Sequence, residues 1–191
     1  LGVCMIKRTL DVAGAGAGLF LLLPLLLVLA VLVRRDSPGP ALHWSSRFGR
    51  DNRLFLMPKF RTMRTDAPDL ATEALEDPDR WITPAGRWLR RTSLDELPQL
   101  WSILVGDMSL VGPRPALHTQ HDLIALRTDA GVQVLRPGLT GWAQVNGRDV
   151  IDLVRKVELD AEYLARGSLG FDIAVLILTL RRAFTGRDVR H

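Results

Sequence analysis

The 191 residues contain one cysteine, Cys4. A lone thiol closes no disulfide within the chain and builds no multi-thiolate zinc site, so nothing requires an oxidising compartment. Internal repeats are absent, as are low-complexity tracts beyond one apolar segment. There is also no large excess of one charge: 25 Lys and Arg stand against 21 Asp and Glu, a net +4. That is too mild to argue for nucleic acid, so where the charge sits matters more than its sum. A hydrophobic share of 47% excludes disorder. The length suits one domain, or one domain with an appendage.

The apolar excess is concentrated in residues 10–33, where Asp11 is the only charge. As a helix rising about 1.5 Å per residue, such a run exceeds the roughly 30 Å core of a bilayer. It is longer than the h-region of a secretory signal, about 7–15 residues. Val33-Arg34-Arg35-Asp36 also follows where small residues would mark a cleavage site. The segment therefore reads as an anchor. Lys7 and Arg8 precede it and Arg34 and Arg35 follow it, so both ends carry the cytoplasmic signature. Pro24 removes a backbone hydrogen bond near the middle and favours a bend. Two topologies fit these features: a re-entrant helix returning to the face it entered, or a single span kinked at proline.

Residues 34–64 carry eight basic side chains (Arg34, Arg35, Arg47, Arg50, Arg53, Lys59, Arg61 and Arg64) against Asp36 and Asp51, a net +6. Beside a membrane this block either meets anionic headgroups or a lipid phosphate, at about 1 kcal/mol per basic group, or faces water and fixes topology. The acidic residues Asp66, Asp69, Glu73, Glu76, Asp77 and Asp79 then suggest an exposed loop or short helix. Ser37-Pro38-Gly39-Pro40 is a strong breaker and divides an anchor, 1–36, from a second domain, 37–191. Strands are predicted at 41–45 and 54–57, with Arg50-Asp51-Asn52-Arg53 as a hairpin turn. Helices are predicted over 97–104, 122–130 and 149–165. Residues 169–184 form a further apolar helix, interrupted by Asp172, that suits an interface or a core better than a span.

Two dense motifs carry chemistry. In Leu89-Arg90-Arg91-Thr92-Ser93-Leu94-Asp95-Glu96-Leu97-Pro98-Gln99-Leu100, Ser93-x-x-Glu96 matches a capping box, a purely structural use. A helix start also presents free N–H groups to phosphate, and Arg90 and Arg91 stand just upstream. The adjacent carboxylates would repel a phosphate without a divalent cation, and Mg²⁺ suits one or two carboxylates plus substrate phosphates. In Gly106-Asp107-Met108-Ser109-Leu110-Val111-Gly112-Pro113-Arg114-Pro115, the Gly-Pro-Arg-Pro turn either fixes Arg114 as an anion clamp or leaves it solvated on a loop. Arg136-Pro137-Gly138-Leu139-Thr140-Gly141-Trp142 and Gln144-Val145-Asn146-Gly147-Arg148 fit sugar-nucleotide recognition or simple loop closure.

In this order, with Lys7-Arg8-x-x-Asp11, Gly39-Pro40 and Lys59-Phe60-Arg61-Thr62-Met63, the motifs resemble those of the bacterial sugar transferase family, the monotopic polyprenyl-phosphate phosphoglycosyl transferases. The likeness covers almost the whole chain, and several motifs in one order are far more specific than any alone. It implies an α/β, mainly helical fold: an N-terminal re-entrant membrane helix bent at Pro24, and a small cytoplasmic catalytic domain with short strands and interfacial amphipathic helices. It also implies an enzyme of the bacterial inner membrane that begins surface glycan synthesis, such as exopolysaccharide or lipopolysaccharide. A phosphosugar would pass from a UDP-sugar to an aspartate with release of UMP, and then to undecaprenyl-type phosphate. Splitting one transfer into two in this way is the logic of covalent catalysis.

By the resemblance, Asp95 is the nucleophile and Glu96 its partner at Mg²⁺, with Asp95 also near the metal. Arg90 corresponds to a lipid-phosphate arginine, and Lys59 and Arg114 to holders of substrate phosphate. Asn146 and Arg148 are weaker correspondences for the nucleotide sugar. Implied partners are the UDP-sugar, polyprenyl phosphate, membrane lipid and downstream glycosyltransferases, with no nucleic acid. Three departures stand out. Leu23 precedes Pro24 where many members have serine, Ser45 replaces a glutamine two residues before Arg47, and the chain opens on Leu1 where larger members carry further membrane helices. The rival readings are an inactive membrane-tethered scaffold and a glycosyltransferase that releases UDP.

Overall fold

The structure, a computed structural model, describes residues 2–68, 77–147 and 151–185. The acidic positions Asp69, Glu73 and Glu76, and Arg148 with Asp149, lie outside the described residues. Helix α1 runs unbroken over Gly2–Asp36 with Pro24 inside it, and no separate second limb follows the proline. It ends where the Ser-Pro-Gly-Pro breaker begins. The buried Arg61 guanidinium holds this junction: Nη2 donates to Val33 O in the last turn of α1 at 3.4 Å and to Ser37 O just beyond it at 2.6 Å, and Nη1 to Pro38 O at 2.6 Å. A basic group at a helix C-terminus also suits the helix dipole.

One stripe of α1 faces protein. Asp11, Ala15, Leu29 and Val33 are buried, and the step from 11 to 29 is about five turns at 3.6 residues each. Ala15 packs with Met57, Leu100, Ile103 and Met108, while Leu29 and Val33 pack with Phe60 and Leu89. The other side is apolar and open, with Phe20 78% and Leu21 72% exposed, joined by Leu23, Leu27, Val28 and Val31. Among the described residues α1 is the one helix long and apolar enough to cross a membrane. So large a bare apolar face calls for a non-aqueous neighbour.

The amino-terminal charges of α1 turn inward. Lys7 Nζ lies 2.6 Å from an Asp172 carboxylate oxygen and donates to Val111 O at 3.3 Å. Arg8 donates to Ile103 O at 2.7 Å and Leu104 O at 3.0 Å. The buried Asp11 accepts from Ser109 Oγ at 2.8 Å and from the Leu110 N–H at 3.0 Å. Read as a topology flank, Lys7 and Arg8 are also tertiary tethers, which spacing along a helix does not reveal.

Strands β1 (Leu42–Phe48) and β2 (Leu54–Phe60) form the predicted hairpin, each reaching three residues beyond its expected end. The turn closes with Gly49 N–H to Arg53 O at 2.8 Å, and Asp51 and Asn52 adopt positive φ, which these residue types tolerate best after glycine. Helix α2 (Pro84–Thr92) starts on the Thr83 side chain, which accepts from the Gly86 N–H at 3.0 Å. The Thr-Pro start is a legible cap signal that the apolar periodicity overlooked. The expected helix over 97–104 divides into a 3₁₀ helix, Leu94–Gln99, containing Pro98, and α3, Leu100–Val105. Pro98 has no N–H to donate to the Leu94 carbonyl, and the α-helical run starts only after it, at Leu100.

Strand β3 (Ser109–Val111) leads to β4 (Ala116–Leu117), which adds to β1 so that the first sheet is ordered β2-β1-β4. Helix α4 (His121–Asp129) matches its prediction within a residue, and β5 (Gly138–Thr140) pairs parallel with β3. This pairing explains the glycine motif: a Cβ on Gly138 would stand 2.1 Å from the Gly112 nitrogen, so the two loops meet backbone to backbone. After α5 (Trp142–Val145), helix α6 (Leu153–Arg166) begins later than expected, capped by Asp152, and α7 (Leu169–Thr185) completes the described fold. Val111, Val145, Tyr163, Phe171 and Val175 form the core between these last elements. Ile173, Ile177 and Leu180 of α7 remain exposed, so α7 has both a core face and an open apolar face.

Candidate active site

Asp95 and Glu96 open the 3₁₀ helix Leu94–Gln99, just after α2 delivers Arg90 and Arg91. The capping box does not form. Ser93 has φ 56° and ψ 18°, makes no side-chain cap bond, and ends α2 instead, its N–H donating to Arg90 O at 3.1 Å. An N-cap residue needs extended backbone, and a left-handed one reverses the chain. After that reversal Asp95 lies within the electrostatic reach of Arg90.

The positive field around the carboxylates comes from side chains of three elements, with a backbone hydrogen bond at Asp95 adding to it. Lys59 projects from β2, Arg90 from α2 and Arg114 from the Gly-Pro-Arg-Pro turn. Arg114 Nη2 meets Glu96 Oε1 at 3.2 Å, and Arg90 Nε donates to the buried Thr62 Oγ1 at 2.8 Å. Burial, and after it the Glu96 charge, push the Asp95 carboxyl above the ordinary carboxylate range, while Lys59 and Arg90 pull it back. Lys59 is pulled down to about 8, first by burial and then by Arg47 and Arg90, against the raising effect of Asp95 and Glu96. Mutually perturbed acids and bases in one place are the mark of a functional site.

Five residues singled out from sequence (Lys59, Arg90, Asp95, Glu96 and Arg114) therefore converge. Arg47, which the motifs do not mark as a site residue, joins them electrostatically at Lys59. Its signal was the period of two: β1 and β2 pair Ser45 with Met57 and His43 with Lys59, which puts 45, 47, 57 and 59 on one face of the hairpin. Ser45, the departure from the family's glutamine, is buried and accepts from Arg47 Nε at 3.0 Å. Arg91 is exposed. Asn146 donates to Trp142 O at 2.8 Å, closing α5, and Arg148 is outside the described residues.

Among the described residues no three His, Cys, Asp or Glu side chains gather at one point. The available donor set is thus the Asp95 and Glu96 carboxylates. That set fits Mg²⁺, which accepts one or two carboxylates and completes its octahedron with substrate phosphate and water. It suits neither a closed structural zinc site nor a protein-built calcium cage.

Asp95, buried, and Glu96, half-buried, thus sit among Lys59, Arg90 and Arg114, an arrangement with the chemistry to bind phosphate, in a fold that also carries one long apolar helix. The sequence model of the bacterial sugar transferase family matches residues 3–186, and the chain belongs to that family. It is 41% identical over 203 residues to an undecaprenyl-phosphate glucose phosphotransferase of Komagataeibacter xylinus, covering 95% of this chain and 36% of the relative. It is 36% identical over 190 residues to a UDP-N-acetylgalactosamine-undecaprenyl-phosphate N-acetylgalactosaminephosphotransferase of Aeromonas hydrophila, with 97% and 45% covered. A UDP-glucose:undecaprenyl-phosphate glucose-1-phosphate transferase of Caulobacter vibrioides is 42% identical over 188 residues, with 94% and 70% covered. The chain thus spans less than half the length of the first two relatives.

Proposed function

We propose that this chain is a phosphoglycosyl transferase that moves a phosphosugar from a UDP-sugar to undecaprenyl-type phosphate, as the first membrane step of surface glycan synthesis. The observation that carries the reading is the convergence of Lys59, Arg90 and Arg114 on the Asp95–Glu96 pair, in a chain whose relatives bear the names of such transferases. Asp95 attacks the sugar-bearing phosphorus, the bond to the UMP oxygen breaks, and UMP leaves with the bond's electron pair. An oxygen of the lipid phosphate then attacks the same phosphorus and the Asp95 carboxylate departs, yielding a lipid diphosphosugar. The cations hold phosphate oxygens in line, Lys59 and Arg114 on the donor and Arg90 on the lipid phosphate. Asn146 and Arg148 are assigned to the nucleotide sugar on family likeness alone. Bound at Glu96 and Asp95, Mg²⁺ would neutralise the diphosphate.

The membrane reading is re-entrant, with residues 1–36 as the anchor and 37–191 as the catalytic domain on the cytoplasmic face of the bacterial inner membrane. Both ends of α1 are tied to the same folded body, Lys7 to Asp172 at one end and Val33 O to Arg61 at the other, which supports keeping both on one side. Pro24 is the place for the bend, because it deprives the Phe20 carbonyl of its helical donor. A cysteine introduced after Arg35 tests this: labelling from the cytoplasmic side alone is expected, and labelling from the periplasmic side alone refutes it.

The reaction is tested with detergent-solubilised protein, Mg²⁺, polyprenyl phosphate and a panel of UDP-sugars, identifying the nucleotide released. UMP is expected. UDP as sole product overturns the phosphosugar mechanism in favour of glycosyl transfer, and no product with any donor favours a scaffold. Omitting the lipid phosphate should leave the phosphosugar mass on the peptide that contains Asp95.

A further inference from the structure

The turn that carries Arg114 is unusual in how it is held. Pro113 and Pro115 have no N–H, so the segment relies on its carbonyls for anchorage. Three successive carbonyls each meet a donor from a different element. Pro113 O accepts from the Gly138 N–H at 2.8 Å, Arg114 O from Arg127 Nη1 at 2.8 Å, and Pro115 O from Arg47 Nη1 at 3.2 Å. The middle bond is the one attached to Arg114 itself.

Arg127 lies on α4 and is buried. Its Nε and Nη2 both meet Asp160 Oδ2 of α6, at 3.0 and 2.7 Å, and Asp160 is 1% exposed. Burial pushes the Asp160 carboxyl upward while Arg127 opposes the shift. A pair this deep is a poor source of net stability, since desolvation offsets most of the attraction and apolar replacements often serve as well. What an apolar pair would not supply is the third arm of the fork, the Nη1 donor on the Arg114 carbonyl.

We infer that Arg127, oriented by Asp160, is a positioning residue for Arg114. The α6 carboxylate fixes the α4 guanidinium, the guanidinium fixes the Arg114 backbone, and the Arg114 side chain then meets Glu96 at 3.2 Å beside Asp95. Arg127 touches no substrate and acts only through Arg114, so the inference rests on the reading of Arg114 as a holder of substrate phosphate. Misplacing such a group by about 1 Å can lower a rate by about 10²-fold even when the change is remote.

The test is a double-mutant cycle on the full chain in detergent, with UMP release and thermal melting followed together. Arg127→Lys keeps a positive charge beside Asp160 but loses the planar fork that reaches two partners at once. We expect a melting temperature close to the parent's and a kcat/KM for the donor lowered about tenfold or more. On an Arg114→Ala background the same change should cost less than twofold, because residues acting through one another are not additive. Arg127→Met/Asp160→Leu removes both charges and isolates the structural contribution: it should melt near the parent and remain slow. Equal loss from Arg127→Lys with and without Arg114, full activity of folded Arg127→Lys, or recovery of activity along with stability in the apolar pair each overturns the inference and leaves the role of Arg114 standing. Full activity of Arg114→Ala overturns the reading of Arg114, and the inference with it.

Discussion

Raising the pH from 7 to 9 is expected to strip the positive charge from Lys59 while the protein stays folded. With its ammonium pulled to about 8, Lys59 is about 90% protonated at pH 7 and about 10% at pH 9, whereas an ordinary lysine stays charged throughout. Burial and the neighbouring Arg47 and Arg90 produce this shift, and Asp95 and Glu96 oppose it. If the charged form holds donor phosphate, kcat/KM at low donor concentration falls roughly tenfold over this interval, since that quantity reports the free enzyme. Stability moves the other way. The folded-state value lies below the unfolded one, so between about 8 and 10.5 the unfolded chain binds the proton more tightly and this group's contribution to stability rises with pH. The assay is UMP release across pH 7–9 with melting temperature in parallel, for the parent and for Lys59→Arg, which keeps its charge throughout. Parent activity should fall without loss of melting temperature, while Lys59→Arg stays flat or falls far less. Parallel falls in the two proteins refute the assignment of the alkaline limb to Lys59.

Three further outcomes are expected. Asp95→Asn should abolish UMP release, by about 10³-fold or more as expected for a lost covalent nucleophile; because burial raises the Asp95 carboxyl, its charge costs stability at neutral pH, so the melting temperature should hold or rise, and a clear fall contradicts this electrostatic account. Gly86→Ala places a Cβ 2.1 Å from Thr62 O and 2.7 Å from two further Thr62 backbone atoms; overpacking of this kind costs about 1–3 kcal/mol and moves Thr62 away from Arg90, so both melting temperature and lipid-phosphate turnover should drop, and unchanged values for both refute the close approach. Asp11→Ala leaves the Leu110 N–H without its acceptor, while Ser109 Oγ keeps its bond to Val111 O at 3.0 Å; a loss of about 1–3 kcal/mol is expected by denaturation, and a neutral result refutes the tether between α1 and β3.

How much of this was legible in the chain depends on the range of the interaction. The long apolar helix, the breaker after Asp36, the hairpin around Asp51 and Asn52, and α4 follow from residues near one another, since turn chemistry and hydrophobic period are local. The motifs offer Asp95, Glu96, Arg90 and Arg114 as candidates beside purely structural readings, and the family resemblance adds Lys59; that the five stand together is a fact of the tertiary structure. Local pattern misread Ser93, whose spacing to Glu96 describes a cap as well as it describes a reversal. The structure shows the reversal, with α2 held against the segment after β2 by Thr83 N–H to Thr62 O and Arg90 Nε to Thr62 Oγ1.

Residue types and their order alone determined that this chain has one long apolar helix, two motifs suited to phosphate and membership of a transferase family. Only the tertiary structure decided which charges serve the site and which serve the fold. Arg61 caps α1, Lys7 and Arg8 bind α1 to the body, Arg127 locks to Asp160, and Arg47 binds Ser45 and Pro115 while its charge lowers Lys59. The reason is physical: a charge acquires its role from burial and from partners dozens of residues away, and the same desolvation that moves Lys59 and Asp95 from their ordinary ranges exists only once those partners have met.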